Sequence, residues 1–328
     1  MDRIKIVVTD YSFPNLSIER KILAEMPQIE LIEGNARTEN EVIELTKEAD
    51  GIINQYAPIN ADVLEQLKKC QVISCYGVGV NTIDIQKATE KGIFVSNVPD
   101  YCIDEVSDHA LSLLLSMARK IIPLNQYMKN NIWDFKKAIP IRRFNMQTVG
   151  VLGFGRIPRK LVVKLIALGF KVLIYDPFVS NEDIETYNAH PVSLENVFEK
   201  SDFVSIHIPL TKETKGIINK DLFNISKSSL VIINTSRGEI INESDLISAL
   251  QSKTIEGAAL DVFEKEPIQS DNPLLNMENV ILTPHMAWYS EESQEELRKK
   301  CADNVLQVFK GNLPPYLVNK CLIDGPLI

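Results

Sequence analysis

Three side chains of complementary chemistry lie late in the chain, each just beyond a short apolar run. Arg237 follows Leu230–Ile233 in the stretch Asn234-Thr235-Ser236-Arg237-Gly238. Glu266 follows 256–260 in Leu260-Asp261-Val262-Phe263-Glu264-Lys265-Glu266-Pro267, and His285 closes Leu282-Thr283-Pro284-His285. A planar guanidinium can grip a carboxylate and a neighbouring carbonyl together. An imidazole can deliver or accept a proton near neutral pH, and a carboxylate beside it favours the protonated form. Together these groups suit hydride transfer at the 2-carbon of an oxo acid. Singly, each has a plainer account: a surface cation, a solvated carboxylate, a structural histidine.

They gain weight from a segment further upstream. Thr148–Leu152 reads as a buried strand, and Gly153-Phe154-Gly155-Arg156-Ile157-Pro158 leads from it into a helix. Gly153 permits the tight turn, Gly155 lets a pyrophosphate approach the backbone, and Arg156 and Ile157 open a helix whose N-terminus favours anions. The next strand-like run, Lys171–Tyr175, ends in Asp176, 21 residues beyond Gly155. A carboxylate there can take the ribose hydroxyls and repel a 2′-phosphate, which favours NAD over NADP. The plainer account is that Asp176 only opens the turn before Pro177. Pro158 stands where the third glycine of this fingerprint would fall. Proline is tolerated in a helix's first turn, so the expectation is a slightly displaced helix and weaker affinity rather than a lost site.

Strand-like and helix-like segments alternate along the chain, which predicts an α/β protein with parallel sheets. The runs Ile4–Thr9, Gly51–Asn54, Gln71–Cys75 and Ile93–Ser96, with amphipathic stretches at 38–47, 60–69 and 83–91, make one small unit. Thr38 with Glu41 forms a capping box for its helix. A second series runs through 148–152, 171–175, 203–206, 230–233, 256–260 and 280–282, with helices at 157–168, 193–200 and 243–252. That rhythm belongs to a doubly wound nucleotide-binding sheet. Asp104–Lys120 reads as a long helix whose apolar face is too broad for one exposed helix. It is either a core helix or one that packs against another subunit. Residues 123–147 read as irregular, and 291–311 as the final helix.

The 328 residues suggest about two domains. With 35 basic and 44 acidic side chains the formal charge is −9, which argues against a nucleic-acid or membrane partner. The five cysteines contain no C-x-x-C pair, and the four histidines lack paired-ligand spacing, so neither a disulfide framework nor a metal is expected. No apolar run approaches a membrane span, and the N-terminus reads as a strand rather than a signal peptide. A reduced, cytoplasmic protein is expected.

The motifs GFGRIPR with Asp176, HIPLTKET (207–214), INTSRGEIIN (233–242), LDVFEKEP (260–267) and LTPHMAWYSEE (282–292) occur in this order. With YGVGVNTID (76–84) and NVPDYCIDEVSDHALSLLL (97–115), the chain resembles the D-isomer-specific 2-hydroxyacid dehydrogenases over roughly residues 50–320. HMAWYSEES is most similar to the branch that includes the C-terminal-binding-protein corepressors and their bacterial relatives. The resemblance implies a Rossmann-type cofactor domain at 100–289 and a smaller flavodoxin-like substrate-binding domain at 1–99 with 290–328. It implies that Arg237 orients a small 2-oxo or 2-hydroxy acid, that His285 is the acid/base and that Glu266 bonds it. It further implies that Asp261 sits near the nicotinamide, that His207, Pro209, Thr214 and Thr235 border the cofactor, and that the backbone of Tyr76, Gly77, Val78 and Gly79 cradles the substrate carboxylate. Trp288 and Tyr101 either line an apolar pocket, which favours a medium-sized aliphatic or aromatic oxo acid over glyoxylate, or pack at the domain hinge. A homodimer through the helix from 104 and the arm around Trp133 is also implied. Cys75, where several relatives carry arginine, makes a dianionic substrate tail less expected, and Asn81 in place of a frequent aspartate reads as a local turn change. The chain ends shortly after its last helix, so no regulatory C-terminal domain is expected. The rival reading is an NAD(H)-dependent interaction protein, of corepressor type, without turnover.

Overall fold

Strands buried on both faces need no polar alternation, so short runs rich in β-branched residues become parallel strands here. In the computed structural model, which describes residues 3–324, they build two sheets in two compact units. One unit takes the chain up to Cys102 and again from Ser290 onward, and the other is Ile103–Tyr289.

The first unit opens with β1 (Ile4–Val8), α1 (Ser17–Leu23), β2 (Ile29–Glu33), α2 (Glu39–Thr46), β3 (Gly51–Asn54), α3 (Ala61–Gln66), β4 (Val72–Cys75), α4 (Ile85–Glu90) and β5 (Phe94–Ser96). The strands lie in the parallel order β2-β1-β3-β4-β5, the flavodoxin-type order. Val42, Ile52, Leu64, Ile73 and Val95 fill its core. The capping box forms as expected: the Glu41 N–H donates to Thr38 Oγ1, and the Thr38 N–H donates to Glu41 Oε2 at 3.0 Å. The edge strand β2 is only partly covered, so its Ile-Glu-Leu-Ile-Glu run carries little burial signal.

The second unit begins with α5 (Ile103–Ala118) and α6 (Ile121–Lys129). It continues through β6 (Thr148–Leu152), α7 (Arg156–Ala167), β7 (Lys171–Tyr175), α8 (Asn181–Glu185), β8 (His190–Pro191), α9 (Leu194–Lys200) and β9 (Phe203–Ile206). After these come α10 (Lys220–Ile225), β10 (Val231–Asn234), α11 (Glu243–Gln251), β11 (Gly257–Leu260) and β12 (Val280–Leu282). The parallel order β12-β11-β10-β9-β6-β7-β8 is the Rossmann arrangement with a seventh strand. Its order reverses between β6 and β9, where ligands bind beyond the carboxyl ends.

α5 buries Ala110, Leu113 and Leu114 in the same core as Leu161 and Leu165 of α7, so much of its broad apolar face is used within this unit. The stretch 123–147, expected to be irregular, is partly helical: α6 covers its start, and 3-10 turns occupy Phe135–Ala138 and Phe144–Met146. No residue of α6 is buried, so the stretch offers no core stripe to read. The chain returns to the first unit as α12 (Glu291–Phe309), capped by reciprocal bonds between Ser290 and Ser293, and ends its described part in α13 (Cys321–Asp324). Among the described residues, no helix is long and apolar enough to cross a membrane.

Candidate active site

The glycine turn is held by close approach. Gly153 has φ 90°, and a Cβ there would lie 2.8 Å from the His207 carbonyl oxygen at the end of β9. Gly155 is the N-cap of α7, and no side chain caps that helix. A Cβ built on Gly155 would meet no protein atom within 4 Å, so the space before the N–H groups of Arg156 and Ile157 is open to an anion. Asp176, directly after β7, forms the turn that its plainer reading required, and it also touches the glycine loop. Its Oδ1 accepts from the Phe178 N–H at 2.8 Å, forming the turn, and its Oδ2 accepts from the Phe154 N–H at 2.7 Å, tying β7 to the glycine loop.

Pro158 leaves α7 unbroken. It occupies the third helical position, is buried, and precedes a normal Arg159 N–H bond to the Gly155 carbonyl at 3.2 Å. Its missing N–H would have been one of the first-turn donors that have no intrahelical partner, and the Phe154 carbonyl just before the helix accepts from Arg159 Nε at 3.0 Å. Both Nη atoms of Arg159 bind the Asp183 carboxylate, and the guanidinium lies 4.3 Å from the Phe154 ring centre.

Around this loop, His207 Nε2 bonds Ser205 Oγ at 2.7 Å. Burial pushes the His207 imidazole down to about 4, so it is neutral near pH 7. The Thr214 hydroxyl donates to the Pro209 carbonyl at 2.6 Å and shapes the loop between them. Thr235 is buried, and its Oγ1 has no hydrogen-bond partner among the described residues. That orphan hydroxyl, the open glycine, the uncapped helix and the Asp176 carboxylate fit a dinucleotide.

Arg237, Glu266 and His285 lie beyond the carboxyl ends of strands in the same sheet. Asn234 is fully buried; it accepts the Ser236 N–H at 3.0 Å and donates to the Arg237 carbonyl at 2.9 Å, folding the turn that presents Arg237. Gly238 follows because a Cβ there would fall 1.9 Å from the Phe263 carbonyl carbon. The Arg237 turn thereby abuts the segment that carries Glu266. Glu266 Oε1 accepts the Phe263 N–H at 3.0 Å, and Oε2 meets His285 Nδ1 at 2.6 Å. Burial pushes the Glu266 carboxyl up, but the His285 bond and charge, the Phe263 N–H and the Arg237 charge outweigh it and hold the group below its ordinary value. With Nδ1 committed, Nε2 is the His285 nitrogen left for proton exchange.

Asp261 is fully buried. Its oxygens accept from the Thr283 hydroxyl at 2.5 Å and from the Met286 and Ala287 N–H groups at 3.0 and 2.8 Å. It therefore holds the segment bearing His285. Trp288 Nε1 donates to the His285 carbonyl at 3.1 Å, which fixes the indole beside that residue.

Tyr76, Gly77, Val78 and Gly79 lie in the first unit, just past β4. The Tyr76 hydroxyl donates to Glu19 at 2.9 Å, and Glu19 is paired in turn with Arg298 of α12. Asn97 Nδ2 donates to the Val78 carbonyl at 2.7 Å, and Cys75 Sγ contacts the Gly79 carbonyl at 3.3 Å. Sequence reasoning missed Asn234, Gly238, Thr283 and Arg159. Asn234 and Gly238 flank Arg237 in a quoted motif, and an Asn-to-Gly stretch after a strand signals a tight turn; the other two carry no local signal.

A family model described as D-isomer specific 2-hydroxyacid dehydrogenase, NAD binding domain, matches residues 111–287. The chain is 35% identical to a glyoxylate reductase of Korarchaeum cryptofilum, over 85% of each protein. It is 33% identical to a hydroxypyruvate reductase of Blautia hydrogenotrophica, over 96% of this chain and 100% of that one. The D-lactate dehydrogenase of Aquifex aeolicus, solved with NAD and lactic acid, superposes with a TM-score of 0.86 at 27% identity, covering 95% of this chain and 98% of that one. None of these singles out the corepressor-like branch.

Proposed function

This chain belongs to the D-isomer-specific 2-hydroxyacid dehydrogenases, NAD-dependent enzymes, and we propose that it interconverts a short-chain 2-oxo acid and its D-2-hydroxy acid with NAD(H) in preference to NADP(H). The observation that carries the residue assignment is the 2.6 Å His285–Glu266 pair, on the same sheet edge as the glycine loop. Gly153, Gly155, Arg156, Ile157, Asp176, His207, Pro209, Thr214 and Thr235 would hold the cofactor, with Asp261 behind the nicotinamide end. The negative Asp176 disfavours a 2′-phosphate. Bound NADH supplies the hydride that reduces the 2-carbon.

Arg237 binds the substrate carboxylate and carbonyl with its two-pronged guanidinium, which aligns the carbonyl and stabilises charge on its oxygen. His285 gives its Nε2 proton to that oxygen in reduction and takes it back in oxidation. Glu266, through Nδ1, orients the ring and offsets its positive charge. In this proposal the backbone of Tyr76, Gly77, Val78 and Gly79 also serves the substrate carboxylate. The Trp288 ring, fixed by its bond to the His285 carbonyl, limits the substrate side chain. Names of relatives point to oxo acids as small as glyoxylate and hydroxypyruvate.

The homodimer belongs to the same proposal. Trp133, Phe135, Ile139 and Met146 are 88, 76, 62 and 72% exposed, an apolar arm that a second copy would cover. None of the five cysteines forms a disulfide among the described residues, which suits a reducing cytoplasm. The rival interaction-protein reading is not favoured, because the named relatives are reductases and a dehydrogenase.

The test is nicotinamide absorbance with NADH or NADPH against glyoxylate, hydroxypyruvate, pyruvate, 2-oxoisocaproate, phenylpyruvate and 2-oxoglutarate. Turnover with NADH, and much less with NADPH, is expected. NADH binding without turnover on any of them would move the reading to the interaction protein.

A further inference from the structure

Behind His285 lies a hydrogen-bonded chain that the acid/base chemistry does not itself use. His109, on α5, places Nε2 3.0 Å from Thr283 Oγ1, 174 residues away in sequence. Thr283 Oγ1 is 2.5 Å from Asp261 Oδ1, which also accepts the Met286 N–H, while Oδ2 accepts the Ala287 N–H. The direction of the chain follows from proton count. A hydroxyl has one hydrogen, and that of Thr283 goes to the carboxylate, so its oxygen accepts from His109 Nε2–H. His109 therefore carries its proton on Nε2. The side chain of His109 is 18% exposed and that of Asp261 0%, so water competes little along this path.

The segment so anchored is strained. His285 has φ 52°, in the left-handed region that few non-glycine residues occupy and that costs free energy unless the surroundings hold it. Its own N–H bonds the Asp261 carbonyl at 2.9 Å, so main chain and side chain of Asp261 grip residues 285–287 from both sides. Without the His109 donor, the Thr283 hydroxyl is released to rotate away from Asp261, and the grip on 286 and 287 loosens.

We infer that His109 is a positioning residue, which by donating through Thr283 to Asp261 holds the strained His285 segment in its working geometry. The kinetic part of this inference rests on the dehydrogenase reading; the structural part does not.

The experiment is amide hydrogen exchange at Met286 and Ala287 in the full chain without added ligand, alongside steady-state kinetics with NADH and the best oxo acid. His109→Leu should speed exchange at both amides at least about 10-fold and lower kcat roughly 10- to 100-fold, with KM for NADH within about twofold. Thr283→Val removes the same link from the other side at similar volume and should match it, and the double variant should be little worse. His109→Gln restores a neutral donor and should stay within about threefold of the parent on both readouts. Unchanged exchange in both His109→Leu and Thr283→Val would overturn the inference, as would a Gln variant as impaired as Leu. Absence of turnover in the parent chain would instead defeat the dehydrogenase reading and leave the exchange result to stand alone.

Discussion

His285 meets Glu266 from a left-handed backbone conformation, which costs on the order of 1 kcal/mol or more. A helix or strand could not offer its imidazole this way, and the bonds to Asp261 and Glu266 offset the cost. Replacing His285 by Ala should cut kcat by about 10²–10⁴ while NADH affinity stays within about threefold; parallel loss of NADH binding would show the residue to be architectural. The Glu266 carboxyl is held below its ordinary value, so it is negative throughout the neutral range. Its contribution is complete above the unfolded carboxylate range and is lost only as pH falls through the lowered value in the fold. Glu266→Gln keeps the size but removes the charge beside His285 Nδ1, and kcat should fall about 10- to 100-fold while NADH affinity stays within about threefold. Unchanged kcat would remove the electrostatic role from Glu266.

Elements bring these residues into register through backbone contacts as much as through side chains. Gly238 touches the Phe263 main chain, and no rotamer can relieve a Cβ placed there. Gly238→Ala should cost about 2–3 kcal/mol, visible as a fall of roughly 5–10 °C in Tm. It should also depress kcat/KM in the folded fraction, because Arg237 moves relative to Glu266; unchanged kinetics would break that link. Beside the glycine loop, Arg159 bonds the Phe154 carbonyl and braces it against Asp183 of α8. Arg159→Met should weaken NADH binding about 10-fold, read by fluorescence titration, while kcat at saturating NADH changes less than about twofold. Equal NADH affinity in the variant would show that the glycine loop needs no brace.

At the scale of the whole molecule, there are two parallel sheets in two compact units. The glycine loop, Arg237, Glu266 and His285 follow strands of one, and Tyr76–Gly79 follow a strand of the other. The exposed apolar arm around Trp133 belongs to the second unit. Covering side chains of this size with a second copy contributes several kcal/mol. Trp133→Asp combined with Phe135→Asp should halve the mass seen by sedimentation while far-UV circular dichroism stays unchanged. A parent chain that already sediments as a monomer would end the dimer reading.

Local pattern was enough for what local physics controls. Strand, glycine turn and helix from Thr148 to Ala167 are legible because a pyrophosphate turn needs those residue types in that order. Arg237, Glu266 and His285 are legible by chemical type and by their place after strands, and both sheets by their alternation with helices. α6 escaped because it has no buried face, and β2 because an edge strand is half covered. What spacing could not convey is pairing. That Gly238 meets Phe263, that Arg159 reaches Asp183, and that His109 reaches Thr283 across 174 residues depends on which elements become neighbours and in what register. The sequence determined the identity of the reactive groups and the strands that carry them. Only the tertiary structure decided how those groups are held, because hydrogen bonds and steric contacts act between neighbours in space, whatever their separation along the chain.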